Sequence, residues 1–305
     1  MNYKKLDEKD IAFLRDVCGE DRVILGKDIP EDFCHDEMEG QSAVPEVMVF
    51  VLNATEVSLI LYYANQKQIP VTPRGQGTGL VGGAVPIYGG ILMNLSKMNR
   101  ILELDEENFT LTVEPGVLIM DIYDFVEAHD LYYPPNPGEK SASIGGNVAT
   151  NAGGMSAVKY GVTRDYVRGL EIVTPEGDIL EIGGKIAKNS SGYSLVQLVT
   201  GSEGTLAVIT KIILRLLPKP KVQQSLLVPF QSLSEAIQTV PKIIKTKVIP
   251  RSIEFMTQDM LQSSEQYLGR RFPDHTGNAY LLLAFDGNSR EEVEKDSDQL
   301  AELCL

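Results

Sequence analysis

Apolar positions recur along this chain with two periods, and the changes from one to the other outline an α+β protein. Leu6, Ile11, Leu14 and Val17 predict a short amphipathic helix over residues 5–18. An irregular acidic stretch from Asp28 to Gly40 follows, and Met48 to Leu52 is then apolar throughout, the pattern of a buried strand. Asn53, with Glu56 three residues on, forms a capping pair for a helix through about Gln68. A second strand, Ile69 to Thr72, runs into a glycine-rich segment. Short strands come next: Ile91 to Leu95, then Ile101 to Leu104 pairing with Thr110 to Val113 across an Asp-Glu-Glu-Asn turn. Beyond a helix from Leu118 to His129, the passage Pro134 to Gly161 is rich in Gly, Pro, Ser and Asn and has no period. In a compact domain such a passage marks a binding loop. A hairpin, Leu170 to Val173 with Ile179 to Ile182, and a strand, Leu206 to Leu216, complete this part.

Pro218-Lys219-Pro220 punctuates the chain and sets off a third part (220–305); ahead of it are expected an N-terminal helix and loop (1–42) and a central domain (43–219). The third part reads strand (Ser225 to Val228), helix (Ser232 to Lys245), strand (Ser252 to Met256), irregular segment, strand (Tyr280 to Phe285), helix (Glu291 to Leu303). That β-α-β-β-α order is one closing strand short of a ferredoxin-like unit.

Charge narrows the partners. Twenty-eight basic against forty-two acidic residues give a net charge of −14, a field that repels nucleic acid and anionic lipid. No apolar run is long enough to span a bilayer, and the charged N-terminus is unlike a secretory signal, so the expected location is the cytoplasm. Cys18, Cys34 and Cys304 are scattered, as are His35, His129 and His275, so neither a metal site nor a Ser/His/Asp hydrolase is expected.

The chemistry therefore rests on glycine. In Pro73-Arg74-Gly75-Gln76-Gly77-Thr78-Gly79-Leu80-Val81-Gly82-Gly83-Ala84, residues without Cβ let successive backbone N–H groups converge on an anion. The segment contains GxGxxG, but Gly82-Gly83-Ala84-Val85-Pro86 breaks the helix that a nicotinamide-type fold requires there, and no Walker loop exists. A second stretch, PPNPGEKSASIGGNVATNAGG from Pro134, adds two Gly-Gly pairs that let backbone approach a flat ligand. A third, Gly201-Ser202-Glu203-Gly204-Thr205, turns into a β-branched strand.

Together, PRGQGTGLVGGA, PNPGEKSASIGGNVATNAGG with KYGVTRDYV, and GSEGTLAVIT resemble the FAD-linked oxidases of the vanillyl-alcohol oxidase and p-cresol methylhydroxylase (PCMH) superfamily. Within it the chain is most similar to the branch acting on D-lactate, glycolate and D-2-hydroxyglutarate. The resemblance implies a PCMH-type FAD-binding domain of two α+β subdomains, followed by a ferredoxin-like cap that is incomplete here. It implies that Arg74, Gly75, Gln76, Gly77, Thr78 and Gly79 cradle the pyrophosphate. Pro137, Gly138, Ser143, Gly145, Gly146, Asn147, Thr150, Gly153 and Gly154 would line the diphosphate, ribityl chain and flavin, with Tyr160 and Gly161 near the same cleft. Glu203, Gly204 and Ile209 would lie at the adenosine end. Relatives that attach FAD covalently use a histidine at the position of Thr78, so FAD is expected to be bound non-covalently. The implied substrate is a small 2-hydroxy acid, and the implied electron-transfer partner an electron-transferring flavoprotein or iron–sulfur subunit. The family's histidine motif is absent from residues 1–305, so no catalytic residue is assigned, and a chain completed by a partner is the alternative expectation.

Overall fold

A computed structural model describes residues 3–304. In chain order the elements are α1 (Glu8–Cys18), β1 (Val23–Leu25), β2 (Val47–Phe50), α2 (Ala54–Lys67), β3 (Val71–Arg74), β4 (Ile91–Asn94), β5 (Ile101–Asp105), β6 (Thr110–Val113), α3 (Ile119–Glu127) and β7 (Leu131–Tyr132). They continue with α4 (Ile144–Thr150), α5 (Ala157–Tyr160), β8 (Val167–Val173), β9 (Ile179–Gly183), α6 (Leu195–Val199), β10 (Val208–Arg215) and β11 (Leu217–Pro218). The last are β12 (Val222–Phe230), α7 (Leu233–Lys245), β13 (Ser252–Thr257), α8 (Gln258–Leu268), β14 (Ala279–Gly287) and α9 (Arg290–Cys304). The described residues form two compact units, one of residues up to 133 with 139–152 and 163–217, the other of residues 134–138, 153–162 and those from 218 onward.

The first unit holds two sheets. One has the order β1-β2-β4-β3, with β2, β4 and β3 parallel and β1 antiparallel at the edge. Val47, Val49, Ile91 and Met93 pack with Leu14 of α1 and Ile60 of α2. Met48 and Leu92, one residue out of step, pack on the opposite side with Ile29 and Cys34. Both faces are covered, which is why β2 is apolar without alternation. The helices are locally specified. Asp7 accepts the N–H groups of Lys9 and Asp10 while Asp10 accepts that of Asp7, and Asn53 accepts the N–H of Glu56 at 3.0 Å. The second sheet is antiparallel, in the order β5-β6-β10-β8-β9, and the expected hairpin appears with Val173 opposite Ile179.

The second unit contains the antiparallel sheet β12-β14-β13. Leu281, Leu283 and Phe285 of β14 share a core with Ala236 and Ile243 of α7 and Val293 and Leu300 of α9. Two expectations need correction. Residues after Met256 were expected to be irregular, yet α8 begins there, with Thr257 accepting the N–H of Met260 and Gly269 ending it in the left-handed conformation. Its faces are mostly polar and exposed, with only Leu261 buried, so apolar periodicity could not announce it. The aperiodic passage 134–161 contains α4 and α5. Two glycines lower the helix propensity of α4, but Ile144 and Val148, one turn apart, anchor it in the core.

Candidate cofactor site

The glycine-rich loop leaves the sheet at the carboxyl end of β3, where Arg74 lies opposite Asn94 at the end of parallel β4. In open parallel sheets that end is where ligands approach. The backbone N–H groups of Gly75, Gln76, Gly77, Thr78 and Gly79 donate to no acceptor among the described residues, which leaves five consecutive donors for an anion. The Gly79 carbonyl is used, accepting the N–H of Glu37 at 2.9 Å.

Arg74 has a different task from its neighbours. Its guanidinium is buried, donates to the carbonyls of His35 and Asp32 at 2.7 Å each, and lies 5.6 Å from the centre of the Phe33 ring. Burial pushes its pKa below the ordinary arginine value, with the nearby Asp36 opposing. The side chain occupies the space beside Gly77, where φ is +77° and a Cβ would overlap the guanidinium. Arg74 thus shapes the loop from within and ties it to residues 32–35, which leaves backbone N–H groups rather than the guanidinium available to a ligand.

The second loop meets the first. A Cβ on Gly75 would overlap Ser143 Oγ, so the two approach only because Gly75 has none. Gly145 packs on Pro115, with 2.9 Å between the position a Cβ would take and the Pro115 carbonyl oxygen. The Thr150 hydroxyl donates to the Gly146 carbonyl at 3.0 Å. Asn147 is buried, and its Nδ2 has no hydrogen-bond partner among the described residues. A buried amide donor without a partner costs about 1–3 kcal/mol, which a ligand acceptor would recover. The third motif docks on the end of α4: Gly201 donates its N–H to the Val148 carbonyl at 2.9 Å, and Glu203 donates to that of Ala149 at 2.8 Å. Gly204, at φ +73°, packs on Pro73, and Glu203 faces Gly83. Ile209 is buried in β10 opposite Ile172.

Pro137, Gly138, Gly153, Gly154, Tyr160 and Gly161 fall in the second unit. There Gly154 lies so close to the Asn136 backbone that no Cβ fits, whereas a Cβ on Gly138 would meet nothing within 4 Å. The Tyr160 hydroxyl donates to Asp286 Oδ2 at 2.9 Å.

Several polar side chains elsewhere are accounted for without a ligand. Arg164 and Arg168 donate to the carbonyls of Thr200 and Ile186 at 2.9 and 2.8 Å, and Lys188 and Asn189 are exposed. His129 Nδ1 lies 2.8 Å from the Phe125 carbonyl, and His275 Nε2 lies 2.8 Å from Glu265. Among the described residues no three His, Cys, Asp or Glu side chains gather as a metal site. A surface cavity lined by residues of α1, Glu20 and Leu25 touches none of the glycine loops. Sequence reasoning missed two residues. Asn94 is fully buried with an unpartnered Nδ2 beside Arg74, and a polar residue ending the apolar run Ile91-Leu92-Met93 was the available signal. Asp286, inside the apolar run of β14, carried the same signal.

Free backbone donors at strand ends, with a second glycine loop packed against them, suit a dinucleotide cofactor of the flavin class. Residues 45–183 match the family described as FAD binding domain, and residues 219–305 match that described as FAD linked oxidases, C-terminal domain. The chain belongs to the FAD-linked oxidase family, and FAD is its cofactor. It is 45% identical over 309 residues to a D-lactate dehydrogenase of Anaerostipes hadrus, covering 99% of this chain and 65% of the relative. It is 42% identical over 273 residues to the glycolate oxidase subunit GlcD of Bacillus subtilis, covering 89% and 58%. The chain thus spans less than two thirds of either relative. Among solved structures, alkyldihydroxyacetonephosphate synthase superposes with a TM-score of 0.83 at 18% identity, over 99% of this chain and 62% of that one. p-Cresol methylhydroxylase with substrate bound gives 0.80 at 20% identity, over 99% and 65%. These likenesses establish the PCMH-type fold.

Proposed function

We propose that this chain is the FAD-binding part of an oxidoreductase that converts a small 2-hydroxy acid, of the D-lactate or glycolate type, to the 2-oxo acid. The observation that carries the substrate class is the 45% identity to a D-lactate dehydrogenase over essentially the whole chain. Gly75 to Gly79 would hold the diphosphate through backbone N–H groups, and Arg74 would keep that loop in shape. Ser143, Gly145, Gly146, Asn147 and Thr150 would line the middle of the cofactor, with Asn147 Nδ2 supplying a buried donor. Pro137, Gly138, Gly153, Gly154, Tyr160 and Gly161 would lie against the flavin end, and Glu203, Gly204 and Ile209 would shape the adenosine end. Thr78 offers no imidazole for a covalent link, so the cofactor is held by hydrogen bonds and packing alone. Bound FAD supplies the acceptor for the hydride leaving C2 of the substrate. No side chain of this chain is assigned as the base that takes the hydroxyl proton. The name of the second relative, an oxidase subunit, supports a further reading in which a partner chain completes the substrate site.

Anaerobic mixing of the FAD-loaded chain with D-lactate, glycolate or D-2-hydroxyglutarate tests the assignment. Loss of the oxidised flavin band with one of these acids, alone or after adding a copurifying partner, supports it. Persistence of the band under both conditions contradicts it.

A further inference from the structure

Asp286, on β14, has a side chain wholly withdrawn from solvent, and its charge is met from the segment Gly153–Val162. Lys159 Nζ pairs with Oδ1 and also donates to the Asp286 backbone carbonyl at 2.9 Å, while the Tyr160 hydroxyl donates to Oδ2 at 2.9 Å. Just ahead of β13, Arg251 Nε donates to the hydroxyl of buried Ser156 at 3.4 Å. Gly154 in turn closes on the Asn136 backbone, which couples residues 134–138 to the same segment. The segment has little structure of its own, only the four-residue α5 flanked by exposed Met155 and including exposed Val158. Residues 134–138 and 153–162 lie within the sequence that matches the FAD binding domain, yet they fold as part of the unit of C-terminal strands. A buried ion pair adds little net stability once desolvation is counted, but it strongly penalises arrangements that separate the two charges.

We propose that Asp286, with Lys159 as its counter-ion, is a positioning residue for the cofactor. It fixes the backbone of 153–161 in the conformation that receives FAD, so the C-terminal domain contributes to cofactor affinity. The inference rests on the reading that Gly153, Gly154, Tyr160 and Gly161 lie against FAD.

The test uses the full chain, with FAD as the probe, and the variants D286N, K159M, K159R and K159M/D286N. Dissociation constants come from quenching of free FAD fluorescence, and visible spectra report the surroundings of the bound ring. D286N and K159M each raise the FAD dissociation constant about tenfold and shift the visible band. The double variant does no worse than the weaker single, because both act through one contact. K159R, which keeps the charge, stays within about twofold of the parent. The proposal is overturned if D286N and K159M fold and match the parent in affinity, within about twofold, and in spectrum. Should either single variant not fold, the double variant K159M/D286N, which leaves no uncompensated buried charge, decides in its place: FAD affinity and spectrum equal to the parent overturn the proposal. A parent chain that fails to take up FAD would sink the underlying reading, whereas a parent that binds FAD alongside unaffected variants sinks only this inference.

Discussion

Changing Gly75 to alanine tests whether the first two glycine loops meet as described. The backbone at Gly75 is not left-handed, so alanine carries no conformational penalty there, and its effect must come from what the new Cβ touches. That is Ser143 Oγ, which would have to leave its position. The Ser143 main chain has little freedom to follow, because Ile144 donates to the Val117 carbonyl and Gly145 to that of Pro115, at 2.9 and 2.8 Å. Overpacking of this kind costs about 1–2 kcal/mol. Removing the hydroxyl relieves it, since the nearest remaining atom is then Ser143 Cβ at 3.4 Å, an ordinary contact. S143A alone costs little, because the Ser143 side chain makes no capping bond to α4. The double variant G75A/S143A therefore recovers most of what G75A loses, a coupling of about 1–2 kcal/mol, or roughly 3–6 °C in melting temperature. Urea unfolding of the cofactor-free chain by circular dichroism is a suitable assay, because twelve tyrosines and no tryptophan make intrinsic fluorescence a poor probe. Additivity of the two substitutions within about 0.5 kcal/mol would refute the contact.

G138A leaves the stability of the cofactor-free chain within about 0.5 kcal/mol of the parent, since its Cβ meets no protein atom, but weakens FAD binding if the flavin lies against that backbone; equal affinity of the two chains for FAD would remove Gly138 from the site. The Cys18 thiol is pushed up to about 11 by burial, with Glu56 adding to the shift, so Cys18 resists alkylation at pH 8 in the native chain and reacts once unfolded; rapid native labelling, read by peptide mass, would contradict its burial. Hydrogen bonds from Asn108, then from Lys185, hold the Asp105 carboxyl down to about 2 from its ordinary 3.8. This depressed carboxyl stabilises the fold above the unfolded value and loses that contribution as pH falls from about 4 toward 2. Its NMR titration should have a midpoint near 2 that K185M raises, and a midpoint unmoved by K185M would exclude the ion pair.

Local chemistry made much of this fold legible. Asn53 and Glu56 capped α2 as expected, and the turn between Val173 and Ile179 closed the expected hairpin. The glycine motifs pointed to an anion because the absence of side chains is itself visible in a sequence. What Gly75 and Gly77 make room for was not visible, since Ser143 is sixty-eight residues from Gly75 and the inward turn of Arg74 depends on carbonyls of residues 32 and 35. α8 escaped notice because a mostly solvated helix has no apolar stripe, and α4 because its glycines argue against the helix that Ile144 and Val148 enforce. Asp286 was readable as a polar residue in an apolar strand but its pairing was not: its partners lie 126 and 127 residues earlier, and a lone aspartate in a strand does not reveal which lysine will neutralise it.

Whether this chain holds FAD without a covalent bond, through its glycine loops, is open to one simple measurement. Incubating the purified chain with FAD, removing excess, recording the visible spectrum and then precipitating with acid tests it directly. The expected result is one FAD per chain, an absorption band at about 450 nm, and flavin released wholly into the acid supernatant. A colourless chain after incubation, or flavin that stays with the acid pellet, would contradict it.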